Sequence, residues 1–163
     1  MIARFLIDTS AAARMRLVAV AERLEPLMTG GLVATCATLD VEALYSARSP
    51  GEYEQVRADR REAYEYLPTD DGHWQRAVDA QRALARSGRR RAGGIADLLT
   101  AVLAAEHGRT VLHHDSGFEV AAEVRDFEHR WVLPCGTVWR DTRSVCISWC
   151  PRATRYIRTR LRS

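Results

Sequence analysis

Two apolar runs, far apart in the chain, each stop on an aspartate. Phe5-Leu6-Ile7 ends at Asp8 and passes through Thr9 and Ser10 into a helix-forming segment. Thr110-Val111-Leu112-His113-His114 ends at Asp115 in the same way. Short, continuously apolar runs suit strands buried on both faces, as in a parallel sheet covered by helices. In an open parallel sheet, ligands bind outside the carboxyl ends of the strands. Asp8 and Asp115 therefore fall at the edge where a site would form. Asp8 would also serve as a helix cap, as Thr9 and Ser10 would, so its role depends on what else reaches that edge.

The intervening chain alternates helices with few strands. Apolar spacing predicts helices over 9–25, 38–47, 52–66, 73–87, 95–107 and 118–124, and strands over 32–35 and 110–114. Pro26 ends or kinks the first helix, Gly30-Gly31 break the chain, and Pro68 to Gly72 form a turn. The helix over 95–107 is apolar almost all round, which requires burial. Strands alternating with helices predict an α/β layered fold with a parallel central sheet. At 163 residues the chain is long enough for one domain and short for two. A basic stretch, Trp139 to Ser163, carries seven arginines and one acid without apolar periodicity; it reads as an extension beyond a domain spanning 1–138, partly disordered.

Composition narrows the partners. No apolar run reaches the ~18 residues of a membrane span, and the N-terminus has no signal-peptide pattern. Cys36, Cys135, Cys146 and Cys150 are too unevenly placed for a disulfide framework, which fits a reducing cytoplasm. All 24 basic residues are arginine. The planar fork of arginine pairs with phosphate and carboxylate bidentately. Arg89, Arg90 and Arg91 form a basic loop ahead of the 95–107 helix and are candidates for pairing with phosphates, against a plain solvated loop.

Glu42 on the 38–47 helix and Asp97 in the first turn of the 95–107 helix are placed to join Asp8 and Asp115. Asp97 alone would be read as favouring the helix dipole. Two like charges 4 Å apart at an effective dielectric of ~20 cost about 4 kcal/mol. Such a cluster needs a protonated member or a cation. All-oxygen donors without paired Cys or His select a hard divalent ion, Mg2+ or Mn2+. Asp40 competes with Glu42, but residues two apart on a helix do not share a face. His113 and His114 alternate across a strand, so one faces the core and the other the opposite side.

Leu6-Ile7-Asp8-Thr9-Ser10, Thr38-Leu39-Asp40-Val41-Glu42-Ala43-Leu44, Gly94-Ile95-Ala96-Asp97-Leu98-Leu99 and Leu112-His113-His114-Asp115-Ser116-Gly117-Phe118 occur in this order. Together they resemble the PIN-domain ribonuclease toxins, the VapC proteins of VapBC toxin–antitoxin systems. The resemblance covers about residues 2–138 and implies a PIN-like three-layer fold. It further implies Mg2+-dependent RNA cleavage, inhibition by a cognate VapB-like antitoxin, and a homodimer. By motif, Asp8, Glu42, Asp97 and Asp115 carry over as the acidic centre and Thr9 as a supporting hydroxyl, with Asp8, Asp97 and Asp115 holding the metal. One departure is Gly117, where the family often has a further Asp; it bears on whether one or two ions are held.

Other classes fit less well. A receiver-type phosphoacceptor uses a lysine beside its acids, and this chain has none. A dinucleotide-binding turn needs glycines after the first strand, and Asp8-Thr9-Ser10-Ala11-Ala12-Ala13 has none. A catalytically impaired PIN-like binding module remains the alternative to an enzyme.

Overall fold

A computed structural model describes residues 2–134. The order is β1 (Phe5–Ile7), α1 (Thr9–Ala12), α2 (Val18–Thr29), β2 (Val33–Cys36), α3 (Ala37–Tyr45), α4 (Pro50–Ala63), β3 (Glu65–Leu67), α5 (Asp71–Arg86), α6 (Ile95–His107), β4 (Thr110–His113), α7 (Gly117–Ala122) and β5 (His129–Trp131). The strands form one parallel sheet in the order β3-β2-β1-β4-β5. β1, first in sequence, is central, flanked by β2 and by β4.

Strand alternation sorts the core into layers. Leu6, Ala34, Cys36 and Val111 pack with Leu39 of α3, Leu103 of α6 and Phe118 of α7. Ile7, Val33 and Leu112 point the other way, onto Val20, Leu24 and Met28 of α2. Helix α6 is enclosed: Leu103 faces the sheet, while Leu98, Leu99, Ala101 and Val102 pack with Ala77, Ala80 and Leu84 of α5. Its all-round apolar sequence is the consequence of lying between a sheet and another helix. Gly108 ends it at φ 59, a left-handed cap that glycine adopts without strain, and β4 starts two residues later.

Several boundaries differ from the pattern reading. The helix expected over 9–25 is two helices. α1 ends at Ala12, the next residues drive Met15 into the core, and α2 starts from Leu17. Pro26 lies inside α2 rather than past its end. Glu65 and Tyr66, expected to finish a helix, instead form β3 with Leu67 against β2. Only Leu67 of the three is buried, so this edge strand shows neither period. The last strand is His129–Trp131, where β4 offers a partner. The expected boundary at 138, the 139–163 extension and Cys135, Cys146 and Cys150 lie outside the described residues.

Candidate active site

Each acid reaches the carboxyl edge of the sheet for a local reason. Asp8 follows β1, its N–H donating to Leu112 O at 2.9 Å. Its carboxylate caps α1 by accepting from Ser10 N at 2.8 Å. The capping and site readings are thus both met by one side chain, only 6% exposed. Glu42 projects from α3 and accepts from Thr9 Oγ1 at 2.8 Å. Asp97, in the first turn of α6, accepts from Gly94 N at 3.0 Å. Asp115 follows β4 and accepts from Gly117 N at 2.8 Å.

The four acids are close enough to perturb one another. Burial raises the Asp8 carboxyl above its ordinary range, despite donors at Ser10 and Thr9, and Asp115 adds to the rise. Burial raises Glu42 too, against the Thr9 hydroxyl, with Asp8 contributing. Asp97 is pushed up to about 6, first by burial, then by Asp8, Asp115 and Glu42. These are the marks of like charges gathered in a partly desolvated place.

Neighbouring residues hold this edge together. Ser10 Oγ accepts from His114 N at 2.9 Å, tying the start of α1 to the end of β4. His113 is fully buried; His114 meets the Trp131 ring edge-on at 5.2 Å. His113 Nδ1 accepts from Asp115 N at 3.3 Å, so Nε2 carries the proton and donates to His129 Nδ1 at 3.0 Å. Burial and His129 lower His113 to about 4, which keeps it neutral. His113 therefore fixes the backbone that carries Asp115.

Other expected residues fall elsewhere. Asp40 is on a different face of α3 and accepts from Thr35 Oγ1 at 2.8 Å and from Arg60 Nε at 2.7 Å. Arg89 pairs with Glu123, while Arg90 and Arg91 are exposed. Glu119 turns away and accepts from Trp131 Nε1 at 2.9 Å. The sequence reading missed the Ser10 brace and the anchoring of Asp115 by His113. Both involve residues it had named, but their partners are set by the β1–β4 pairing.

A central parallel sheet in this order, with four acids at its carboxyl edge, defines a class of α/β protein. A family model described as PIN domain matches residues 5–124, and the chain belongs to the PIN-domain family. Curated relatives place it in the VapC branch. It is 43% identical over 137 residues to "Ribonuclease VapC21" of Mycobacterium tuberculosis, covering 84% of this chain and 99% of that protein. It is 38% identical to "Ribonuclease VapC51" of the same organism, covering 83% and 97%. Among solved structures, it resembles VapBC2 from Rickettsia felis bound to a promoter DNA fragment, with a TM-score of 0.61, 16% identity, and 80% and 98% of the two chains covered. The FitAB complex bound to the IR36 DNA fragment gives 0.62, 20% identity, and 78% and 94%. These structural likenesses concern the fold.

The donor set suits a hard divalent ion. It comprises carboxylate oxygens; Asp97 is pushed up to about 6 first by burial and then by repulsion from Asp8, Asp115 and Glu42, and a bound cation would offset both. No helix among the described residues is long and apolar enough to cross a membrane.

Proposed function

We propose that this protein is the toxin of a toxin–antitoxin pair, a Mg2+-dependent endoribonuclease that accepts Mn2+. The observation that carries this is the convergence of Asp8, Glu42, Asp97 and Asp115, with Asp97 pushed up to about 6 by burial and by the other three. The VapC relatives, similar over nearly their whole length, support the substrate class. We assign Asp8, Asp97 and Asp115 to the ion and Glu42 to the proton. An ion so held would polarise a phosphate oxygen and acidify a bound water.

The chain's own residues supply the geometry. Backbone N–H groups of Ser10, Gly94 and Gly117 each hold one carboxylate, fixing the site before substrate arrives. Glu42 is aimed by the Thr9 hydroxyl and its pKa is raised by burial, which suits it to take a proton from the attacking water. Water adds across the P–O3′ bond, leaving a 5′-phosphate and a 3′-hydroxyl. Ser10 is engaged with His114 N and takes no nucleophilic role. Arg90 and Arg91 steer the RNA backbone through its phosphates. The catalytic domain spans 1–138, with 139–163 as a basic appendage adding phosphate contacts. In the cytoplasm, a VapB-like antitoxin holds the protein, itself a homodimer, inactive.

Cleavage of total RNA with Mg2+, with Mn2+ and with EDTA tests the reading. Ion-dependent cutting supports it; RNA binding without cutting under every condition replaces it with the impaired binding module.

A further inference from the structure

Away from the acidic edge, α5 and the last turn of α6 bring together His73, Glu106 and His107, whose ligand atoms lie within 4.8 Å of one another. We propose that these three side chains form a second metal site, for a borderline transition ion of the Zn2+ class, bracing α5 against α6. From Asp97 to His107 along α6 is ~15 Å at 1.5 Å per residue, so this is a separate place from the acidic edge.

Two buried imidazole nitrogens without hydrogen-bond partners point to a cation. His73 is 4% exposed. Its Nδ1 accepts from the Asp70 N–H at 3.1 Å, and Asp70 Oδ1 lies 2.6 Å from the same nitrogen. Without metal the ring proton therefore sits on Nε2, which faces Glu106 Oε1 at 3.3 Å but makes no hydrogen bond. A metal on Nε2 would move that proton to Nδ1, where Asp70 Oδ1 is placed to accept it. An imidazolium at His73 would satisfy Glu106, yet His107 Nε2 is also buried and without a hydrogen-bond partner. A metal takes all three. The rings lie stacked and nearly parallel, 11° apart with centroids 6.4 Å apart, so one ring must turn for a metal to lie in the plane of both.

The surrounding shell fits. With metal on Nε2, Asp70 Oδ1, 2.6 Å from Nδ1, would hold the ring as carboxylates orient zinc-bound histidines. Arg76 holds the other oxygen of Glu106, leaving Oε1 towards the histidines. Two nitrogens and one oxygen suit Zn2+ far better than Mg2+, with water as fourth ligand. Tetrahedral Zn2+ sets its ligands ~3.4 Å apart, so small side-chain rotations close the site. Arg76 opposes the charge, so a moderate affinity is expected.

The test is calorimetric Zn2+ titration of the full chain in millimolar Mg2+, with Co2+ absorption as a second probe. The expected result is a Mg2+-resistant Zn2+ site with micromolar Kd and a Co2+ band of four-coordinate nitrogen and oxygen ligation. His107→Ala and Glu106→Gln should each weaken that site at least tenfold with circular dichroism unchanged. If His107→Ala does not fold, Glu106→Gln decides alone. Absence of Mg2+-resistant binding up to 100 µM Zn2+, or retention of it in Glu106→Gln, overturns the proposal in favour of an imidazolium–carboxylate pair.

Discussion

A β-carbon at position 117 would stand 2.5 Å from Oδ2 of Asp97 and 3.3 Å from Oδ1 of Asp115. Gly117 is what lets Asp97 settle over the start of α7. The site thus does not simply lack an acid where its family often has one: the Asp97 conformation and any side chain at 117 exclude each other. Gly117→Ala should displace the Asp97 carboxylate with little loss of stability, because the crowded atoms end flexible side chains, and cut RNA cleavage at least tenfold. A cleavage assay checks it, with urea unfolding to show that the fold persists, and wild-type cleavage would remove the steric account.

The pH dependence follows from Asp97. Its carboxyl is raised in the folded state to about 6 from 3.8. A raised pKa means that the fold favours the protonated form. The associated stability is fully present below pH ~4 and is lost as pH rises through about 6. The loss is at most about 3 kcal/mol, less after solvent screening. Melting in EDTA between pH 4 and 8 should show it, and Asp97→Asn should flatten the profile and raise the Tm at pH 7.5. Asp8→Asn should do the same more weakly, since Asn also caps a helix. If both variants lose more than ~1 kcal/mol, the acids serve as caps alone.

Alanine at Asp8, Glu42, Asp97 or Asp115 should each abolish RNA cleavage while the far-UV spectrum persists, because residues that act as a unit fail non-additively. Asp40→Ala is the contrast. It removes the carboxylate partner of Arg60, whose side chain is 7% exposed, so it should lower the Tm while leaving cleavage intact below melting. Equal inactivity of Asp40→Ala and Glu42→Ala would reverse the choice between them.

Thr9→Val removes the donor to Glu42 Oε2 without changing side-chain shape much. The expected effect is a tenfold or greater fall in kcat with little change in KM, and recovery in Thr9→Ser. A change confined to KM would place Thr9 in RNA binding instead.

For the arginines the structure grades the outcome. Arg90→Ala and Arg91→Ala should each weaken RNA binding and reduce the salt slope by about 1. Arg89→Ala should do less, because Glu123 already holds it. Truncation after Val138 should lower affinity and salt dependence without abolishing turnover. Filter binding across a salt series distinguishes these.

The sheet and its acidic edge were legible because two apolar runs end on aspartate and helix α6 is apolar all round. Helix α6 was read to the residue, since Gly94 and Gly108 bound it. The two edge strands were not legible. β3 has one buried side chain, and β5 exists only because β4 offers it an edge. The break between α1 and α2 was hidden because Ala13 to Arg16 has helical composition, and only the burial of Met15 shows the turn. Face alone said only that Glu42 and Asp40 could not both serve, and the match to the family motif favoured Glu42; the Arg60 partner of Asp40 lies on another helix, out of reach of local pattern.

The strand order has a consequence for synthesis. β1 leaves the ribosome first, yet its neighbour β4 is made about a hundred residues later, and Asp115 comes after that. Until β4 seats beside β1, Asp8 has no Asp115 opposite it and Ser10 no His114 to hold. A chain that ends before β4 therefore carries the acidic edge without Asp115, and the proposed site is completed only by one of the last strands to be made.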